Sequence, residues 1–355
     1  MNRERATAFA PGRVNLIGEH TDYNGGLALP FAIAQGVTVR ARAWRPGSDG
    51  QAHIAVHARA LGERDEFAIA QPGRAEGWRA FVRGAVGELS AAGVELAGAR
   101  VEIEGDVPQG AGLSSSAALE VALCLALLEL VGGEQARQLD RTALAQLCAR
   151  VENDWVGART GLLDQLASLY GEDEAALCID FATLAVEPVP LRLGDWSLVV
   201  LDSGERHAHA SSGYNERRAE CARACELLGV RSLREAEPED LERLPEPLRA
   251  RAAHVLGENA RVREAVQALR SNDLGALAGL LDASHASLRD LYQISTPAVE
   301  ATVERLRGAG ALGARLMGGG FGGSVLALFE PGATPPSQAR EVRPSAGARV
   351  LTEEC

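Results

Sequence analysis

Two stretches of this 355-residue chain carry residue types suited to holding charged or hydroxyl-rich ligands. In "DVPQGAGLSSSAALE" (106–120), Gly110 and Gly112 precede Ser114, Ser115 and Ser116, and an apolar helix-forming run follows at once. Glycines permit backbone angles and close approaches that a Cβ would block, so successive N–H groups can converge on an anion. The serines fall where a helix begins, at the turn whose N–H donors lack partners within the helix. One serine suffices to cap a helix, so a capped helix after a glycine turn is the simpler reading. Three serines beneath two glycines exceed that need and favour a phosphate held at the helix N-terminus. The second stretch, "GEHTDYN" (18–24), brings Glu19, His20 and Asp22 within four residues. Each hydroxyl of a sugar both donates and accepts, and carboxylates can bridge neighbouring hydroxyls, so such a cluster suits a polyol. It also reads as a polar turn closed by Asn-Gly.

The chain contains no lysine; all 36 basic residues are arginine. That excludes a lysine Schiff base and a Walker-type loop, whose lysine reaches the β and γ phosphates. A nucleotide bound here must rely on backbone amides, hydroxyls, a helix dipole, a metal and arginine. The net charge of −12 would repel phosphate backbones at long range, so nucleic acid is not an expected partner. Hydrophobic residues make up 46% and charged residues 24%, the proportions of a soluble globular protein. No charge-free apolar run reaches the roughly eighteen residues a membrane span needs, and "MNRERATAFAPGR" lacks the apolar core of a secretory signal. Six cysteines are scattered without zinc-ligand spacing, which points to reduced thiols in a cytoplasmic protein, with Cys124 and Cys148 in the core.

The elements that must position these residues read as α+β. Period-two alternation predicts strands in "GVTVRARA" (36–43) and "AHIAVHA" (52–58), and "ARVEIEGDVP" reads as a strand ending in a turn. Helices are predicted over 78–93, from the serine loop to about Val131, and over 142–157. In the second half, "DWSLVVLDSG" (195–204) reads as a buried strand and helical blocks follow around 213–228, 246–270 and 273–292. "LGARLM" and "SVLALF" flank "GGGFGG" as two strands joined by a tight turn, and "EPGATPPSQAREVRPSAG" (330–347) reads as surface loop. His207 and His209 in "RHAHASS" lack a third ligand and read as surface or pocket-edge residues. The length suits two lobes, divided as 1–190 and 191–355.

Set beside each other, "APGRVNLIGEHTDYNGGLALP" (10–30), the loop Pro108–Ala118 and "MGGGFGG" (317–323) closely resemble the three motifs of the GHMP kinases, in the family's order. "GLLDQ" (161–165) and "SSGYNERRAEC" (211–221) extend the resemblance over nearly the whole chain. It implies an N-terminal lobe resembling ribosomal S5 domain 2, a C-terminal ferredoxin-like lobe and an active site between them. Within the family, the first stretch is similar to the signature of the members that phosphorylate galactose with ATP at its anomeric hydroxyl. On that resemblance Asp164 stands beside the acceptor hydroxyl and takes its proton, and Arg13 stabilises the transferring phosphoryl group. Glu19, His20, Thr21, Asp22 and Tyr214 would bind the sugar. Gly110, Ala111, Gly112, Leu113, Ser114, Ser115 and Ser116 would bind ATP, with Ser116 and Glu152 approaching Mg²⁺. Without the resemblance, Asp164 reads as a carboxylate complementing a helix dipole, and Glu152 as a helix glutamate on an apolar stretch.

The resemblance leaves alternatives. Another sugar kinase of the family could act on galacturonate, arabinose or N-acetylgalactosamine, and a non-catalytic galactose sensor could keep the sugar cluster. Galacturonate would want a second cation, and no arginine lies in 19–26. A sensor could lose part of the serine loop or the base, whereas Ser114, Ser115, Ser116 and Asp164 are all present. Met317 stands where threonine is common, which bears on fine specificity. A small-molecule sugar and a nucleotide are the expected partners, with no nucleic acid or membrane, and the expected state is a monomer.

Overall fold

The computed structural model describes residues 3–44, 50–107, 112–132, 139–158, 160–206 and 210–352. Its largest sheet has six strands in the order β13-β1-β3-β6-β4-β5, formed by β1 (Arg5–Asn15), β3 (Pro30–Ala43), β4 (His53–Ala58), β5 (Glu63–Ala68), β6 (Ala99–Gly105) and β13 (Arg349–Leu351). All its pairings are antiparallel except β4 with β6. Helices α1 (Trp78–Ala91), α2 (Ser115–Val131), α3 (Arg141–Arg150) and α4 (Leu163–Tyr170) form the accompanying layer, with α2 and α4 against β1 and β3. A helix apolar on all sides must be buried on all sides, and α2 runs through the core of this layer with Cys124 fully enclosed. Cys148 of α3 is enclosed beside it.

A second sheet, β10-β11-β9-β12, comprises β9 (Ser197–Arg206), β10 (Ala311–Met317), β11 (Gly322–Phe329) and β12 (Arg340–Val342), all antiparallel. It is covered by α7 (Leu274–Asp290) and α8 (Pro297–Gly308), with α5 (Ala210–Leu228) and α6 (Leu248–Arg270) completing this half. A small sheet joins β2 (Leu27–Ala28), from between β1 and β3, to β7 (Ala175–Asp180) and β8 (Ala185–Pro190). No described helix is long and apolar enough to cross a membrane.

Several expectations change. The helix predicted over 142–157 ends at Arg150, and residues Val151–Val156 continue as a wider π-helical turn. Helix α8 was not anticipated, although its signal is present: Thr296 caps it and Pro297 occupies the first turn, where a missing N–H costs nothing. The stretch 330–347 is not loop throughout, since β12 within it pairs with β9, and beyond it β13 adds to the edge of β1. The last strand, β13, thus lies on the same sheet as β1. His207 and His209 fall outside the described residues.

Candidate active site

The sequence "APGR" interrupts β1 with a bulge between Pro11 and Arg13, a place where a strand tolerates proline and re-aims a side chain. A Cβ on Gly12 would lie 2.4 Å from the Leu113 carbonyl oxygen, so glycine is what lets the strand meet the serine loop. The Arg13 N–H donates to that carbonyl at 3.1 Å. The Arg13 side chain is buried: Nη1 donates to the Gly112 carbonyl at 2.6 Å, and Nε donates to Asp164 Oδ1 at 2.7 Å. Nη2 is 2.6 Å from the same oxygen. Asp164 Oδ2 accepts a short hydrogen bond from the Ser114 hydroxyl. Ser114 has a left-handed backbone (φ 57°), and no side chain caps α2. The hydroxyl expected as a cap or phosphate ligand thus points to the carboxylate.

The loop after β1 forms the facing wall. His20 is left-handed (φ 61°), a conformation a non-glycine residue keeps only when its surroundings enforce it. Helix α6 supplies that enforcement: Glu258 Oε1 accepts from the Gly18 N–H at 3.0 Å, and Asn259 Oδ1 from the Leu27 N–H at 2.8 Å. His254 Nε2 donates to the Glu19 carbonyl at 3.2 Å, and its Nδ1 accepts from Ser287. His20 Nδ1 bonds the Tyr23 hydroxyl at 2.8 Å, and its ring lies 5.3 Å from Tyr214 and 4.7 Å from Tyr292. Burial, reinforced by His254, pulls the His20 imidazole down to about 3, so it is neutral at working pH. Burial also pushes Asp22 up to about 6, aided by the charges of Asp164 and Glu19 and opposed by the Tyr23 N–H and Arg218. Gly161 has no room for a side chain, since its Cβ would sit 1.9 Å from Asp22 Oδ2.

These groups enclose a cleft of about 380 Å³ lined by Arg13, Glu19, His20, Asp22, Asp164 and Tyr214, with Gly318, Gly319 and Gly320 from the β10–β11 turn. The third glycine-rich stretch is therefore both a turn and a wall. Thr21 departs from its expected role. It is fully buried, and its hydroxyl lies 2.9 Å from the Gly18 carbonyl and 2.7 Å from that of Leu27, so it braces the loop and does not line the cleft. Leu113 likewise packs its side chain into the core and offers only backbone to the site. Met317 is buried in that same core and is not part of the cleft wall. Gly110 and Ala111 lie outside the described residues.

A second pocket of about 400 Å³ borders the start of α2, lined mainly by apolar side chains including Leu61, Trp78, Phe81, Ile103 and Leu119, together with Ser115 and Ser116. Sequence reasoning missed it, because these residues carry the same pattern as core positions. Glu152, almost fully buried on the π-helical turn, is in hydrogen-bond contact with Ser116. Its Oε2 accepts from Thr160 Oγ1 at 2.6 Å and Gln165 Nε2 at 3.1 Å. Burial first, then the charge of Asp164, raises the Glu152 carboxyl above its ordinary range. Glu120, one turn along α2 from Ser116, is raised well above its range by burial and by Glu152, with the Gln165 amide opposing the rise. Carboxyls whose charged form is disfavoured by burial would be stabilised by a divalent cation, a fitting partner for hard oxygen donors. Ser116 and Glu152 could offer such a cation two oxygens, too few for a protein cage, and no group of three or more His, Cys, Asp or Glu side chains placed to hold a metal occurs among the described residues.

Family models match most segments of the chain. Residues 1–43 match the galactokinase galactose-binding signature, 80–172 the GHMP kinases N terminal domain and 265–348 the GHMP kinases C terminal model. The galactokinase of Mycobacterium tuberculosis (strain H37Rv) is 44% identical over 349 residues, covering 97% of this chain and 93% of that protein. The galactokinase of Thermotoga maritima is 40% identical over 91% of this chain and 89% of its own length. Among solved structures, Lactococcus lactis galactokinase complexed with galactose superposes with a TM-score of 0.88 at 33% identity, covering 99% of this chain and 96% of that one. Mevalonate kinase of L. major, at 20% identity and a TM-score of 0.65, shares the fold.

Proposed function

Because this chain belongs to the galactokinases of the GHMP kinase family, we propose that its two pockets divide the substrates, with galactose in the Arg13–Asp164 cleft and the adenine of ATP in the apolar pocket. The enzyme is an ATP-dependent sugar kinase, forming galactose 1-phosphate and ADP. The observation that carries the assignment of parts is the position of α2. Its uncapped N-terminus lies between the pockets, with Ser114 turned to Asp164 and with Ser115 and Ser116 at the apolar side. Free N–H groups and the helix dipole there favour a triphosphate.

Phosphoryl transfer asks the protein for alignment and charge compensation more than covalent chemistry. Asp164 accepts the proton of the anomeric hydroxyl. Arg13, tied to both Asp164 and the Gly112 carbonyl, holds the carboxylate in place and sets one positive charge beside the phosphate loop. Glu19, His20, Asp22 and Tyr214 take the sugar hydroxyls. Ser116 and Glu152 would hold Mg²⁺, which supplies charge neutralisation on the phosphate oxygens when bound. Both walls of the cleft come from one chain, so the site needs no second copy to be complete.

The test is ADP formation with Mg-ATP across galactose, glucose, galacturonate, arabinose and N-acetylgalactosamine. Galactose is expected to exceed glucose in kcat/KM by about 10²-fold or more, since a site hydrogen-bonded to one hydroxyl strongly rejects a sugar that misplaces it. Equal turnover of the two epimers would defeat the specificity reading.

A pH prediction follows from Asp22. Its carboxyl is pushed up to about 6 in the free site, so it is charged above that pH and gains a proton as pH falls through it. A protonated Asp22 loses charge and acceptor capacity, so kcat/KM for galactose declines as pH falls through about 6, with a slope of one. Asp22→Asn removes that limb of the pH profile. A limb that survives in Asp22→Asn would transfer the titration to another group, and His20, neutral down to about 3, is not it.

A further inference from the structure

Arg315 sits on β10 with no exposed surface. Its Nη1 donates to the carbonyls of Asn15 and Leu16, each at 3.0 Å, where β1 runs into the loop that carries Glu19. Its Nη2 lies 3.0 Å from Glu19 Oε1, and the same oxygen accepts from the Gly318 N–H at 2.8 Å. Burying a guanidinium carries a desolvation penalty that only good partners offset. The other enclosed carboxylate nearby, Glu258, is already engaged by Gly18, Ser284 and Arg261. The partners of Arg315 are thus two carbonyls of the loop's root and one carboxylate that lines the cleft.

We propose that Arg315 is a positioning residue for sugar recognition, acting through Glu19. With Oε1 held by Arg315 and the Gly318 amide, the Glu19 carboxylate keeps one orientation and turns Oε2 to a sugar hydroxyl. The same guanidinium fixes the third glycine-rich stretch against the first, so two walls of the cleft stay in register. This rests on the assignment of Glu19 to sugar binding made above.

A double-mutant cycle tests it, reading galactose affinity by calorimetry together with KM and kcat for each substrate. Arg315→Met is expected to weaken galactose by about tenfold to a hundredfold, the lower part of the range for coupling through a close charge pair. KM for ATP should stay within about twofold, because the lost interaction does not touch the nucleotide. Arg315→Lys keeps the charge without the planar fork and should fall between parent and Arg315→Met. In a Glu19→Gln background, Arg315→Met should cost less than about threefold more, since coupled residues are not additive. Fully multiplicative losses overturn the positioning role and leave the sugar site standing. Unaltered galactose affinity in Glu19→Gln overturns the site assignment and the positioning role together. If Arg315→Met does not fold, Arg315→Lys in both backgrounds carries the same cycle.

Discussion

Asp164→Asn is expected to lower kcat by about 10²–10⁴-fold, the usual contribution of a positioned general base. The substitution keeps size and shape. Its carbonyl oxygen can still accept from Arg13 and its amide can donate to the Ser114 hydroxyl, so the hydrogen-bonded frame around the position survives. What disappears is a proton acceptor facing the cleft. Galactose affinity and the thermal unfolding midpoint should therefore stay near those of the parent while single-turnover ADP formation collapses. Near-parental turnover would show that Asp164 only orients the hydroxyl or plays no part in the reaction.

Arg13→Leu is expected to reduce kcat by about 10²–10³-fold, the scale on which a preorganised charge at a reacting centre acts. Arg13 is almost wholly buried and bridges the loop carbonyl of Gly112 to Asp164, so its removal both frees the carboxylate and deletes the one positive charge lining the cleft among the described residues. Arg13→Lys should recover part of the rate at most, since an ammonium cannot span both partners in the fixed fork that a guanidinium offers. Residues that act as a unit are strongly non-additive, so Asp164→Asn in the Arg13→Leu background should cost far less than it does alone. Pre-steady-state rates of the four proteins decide this; independent, multiplicative losses would separate the two residues into unrelated roles.

Much of the site was legible because its chemistry is written in short, local patterns. The glycine-serine loop before an apolar run dictates a helix that starts with unpaired N–H groups, and α2 begins at Ser115. The strands flanking "GGGFGG" were readable from their apolar runs and the glycine turn, and they pair as β10 and β11. Where the pattern failed, a competing effect explains it. Residues 151–156 kept helical periodicity but widened into a π turn that sequence spacing does not encode. Residues 340–342 and 349–351 are too short and polar to announce themselves as strands, and they pair only because β9 and β1 present edges to them.

The sequence alone settled the chemical inventory: which side chains are available, that no lysine is among them, and where a helix N-terminus meets a glycine turn. The tertiary structure decided which of those groups act together. Arg13 and Asp164 meet across 151 positions, Thr21 is spent on bracing its own loop, and Arg315 reaches Glu19 from the far end of the chain. It also decided that Trp78 and Phe81 line a pocket. The reason is that periodicity reports only whether a side chain avoids water. Whether it then faces a core, a ligand or a distant charge depends on packing between segments, where Coulomb and hydrogen-bond energies act through space and not along the chain.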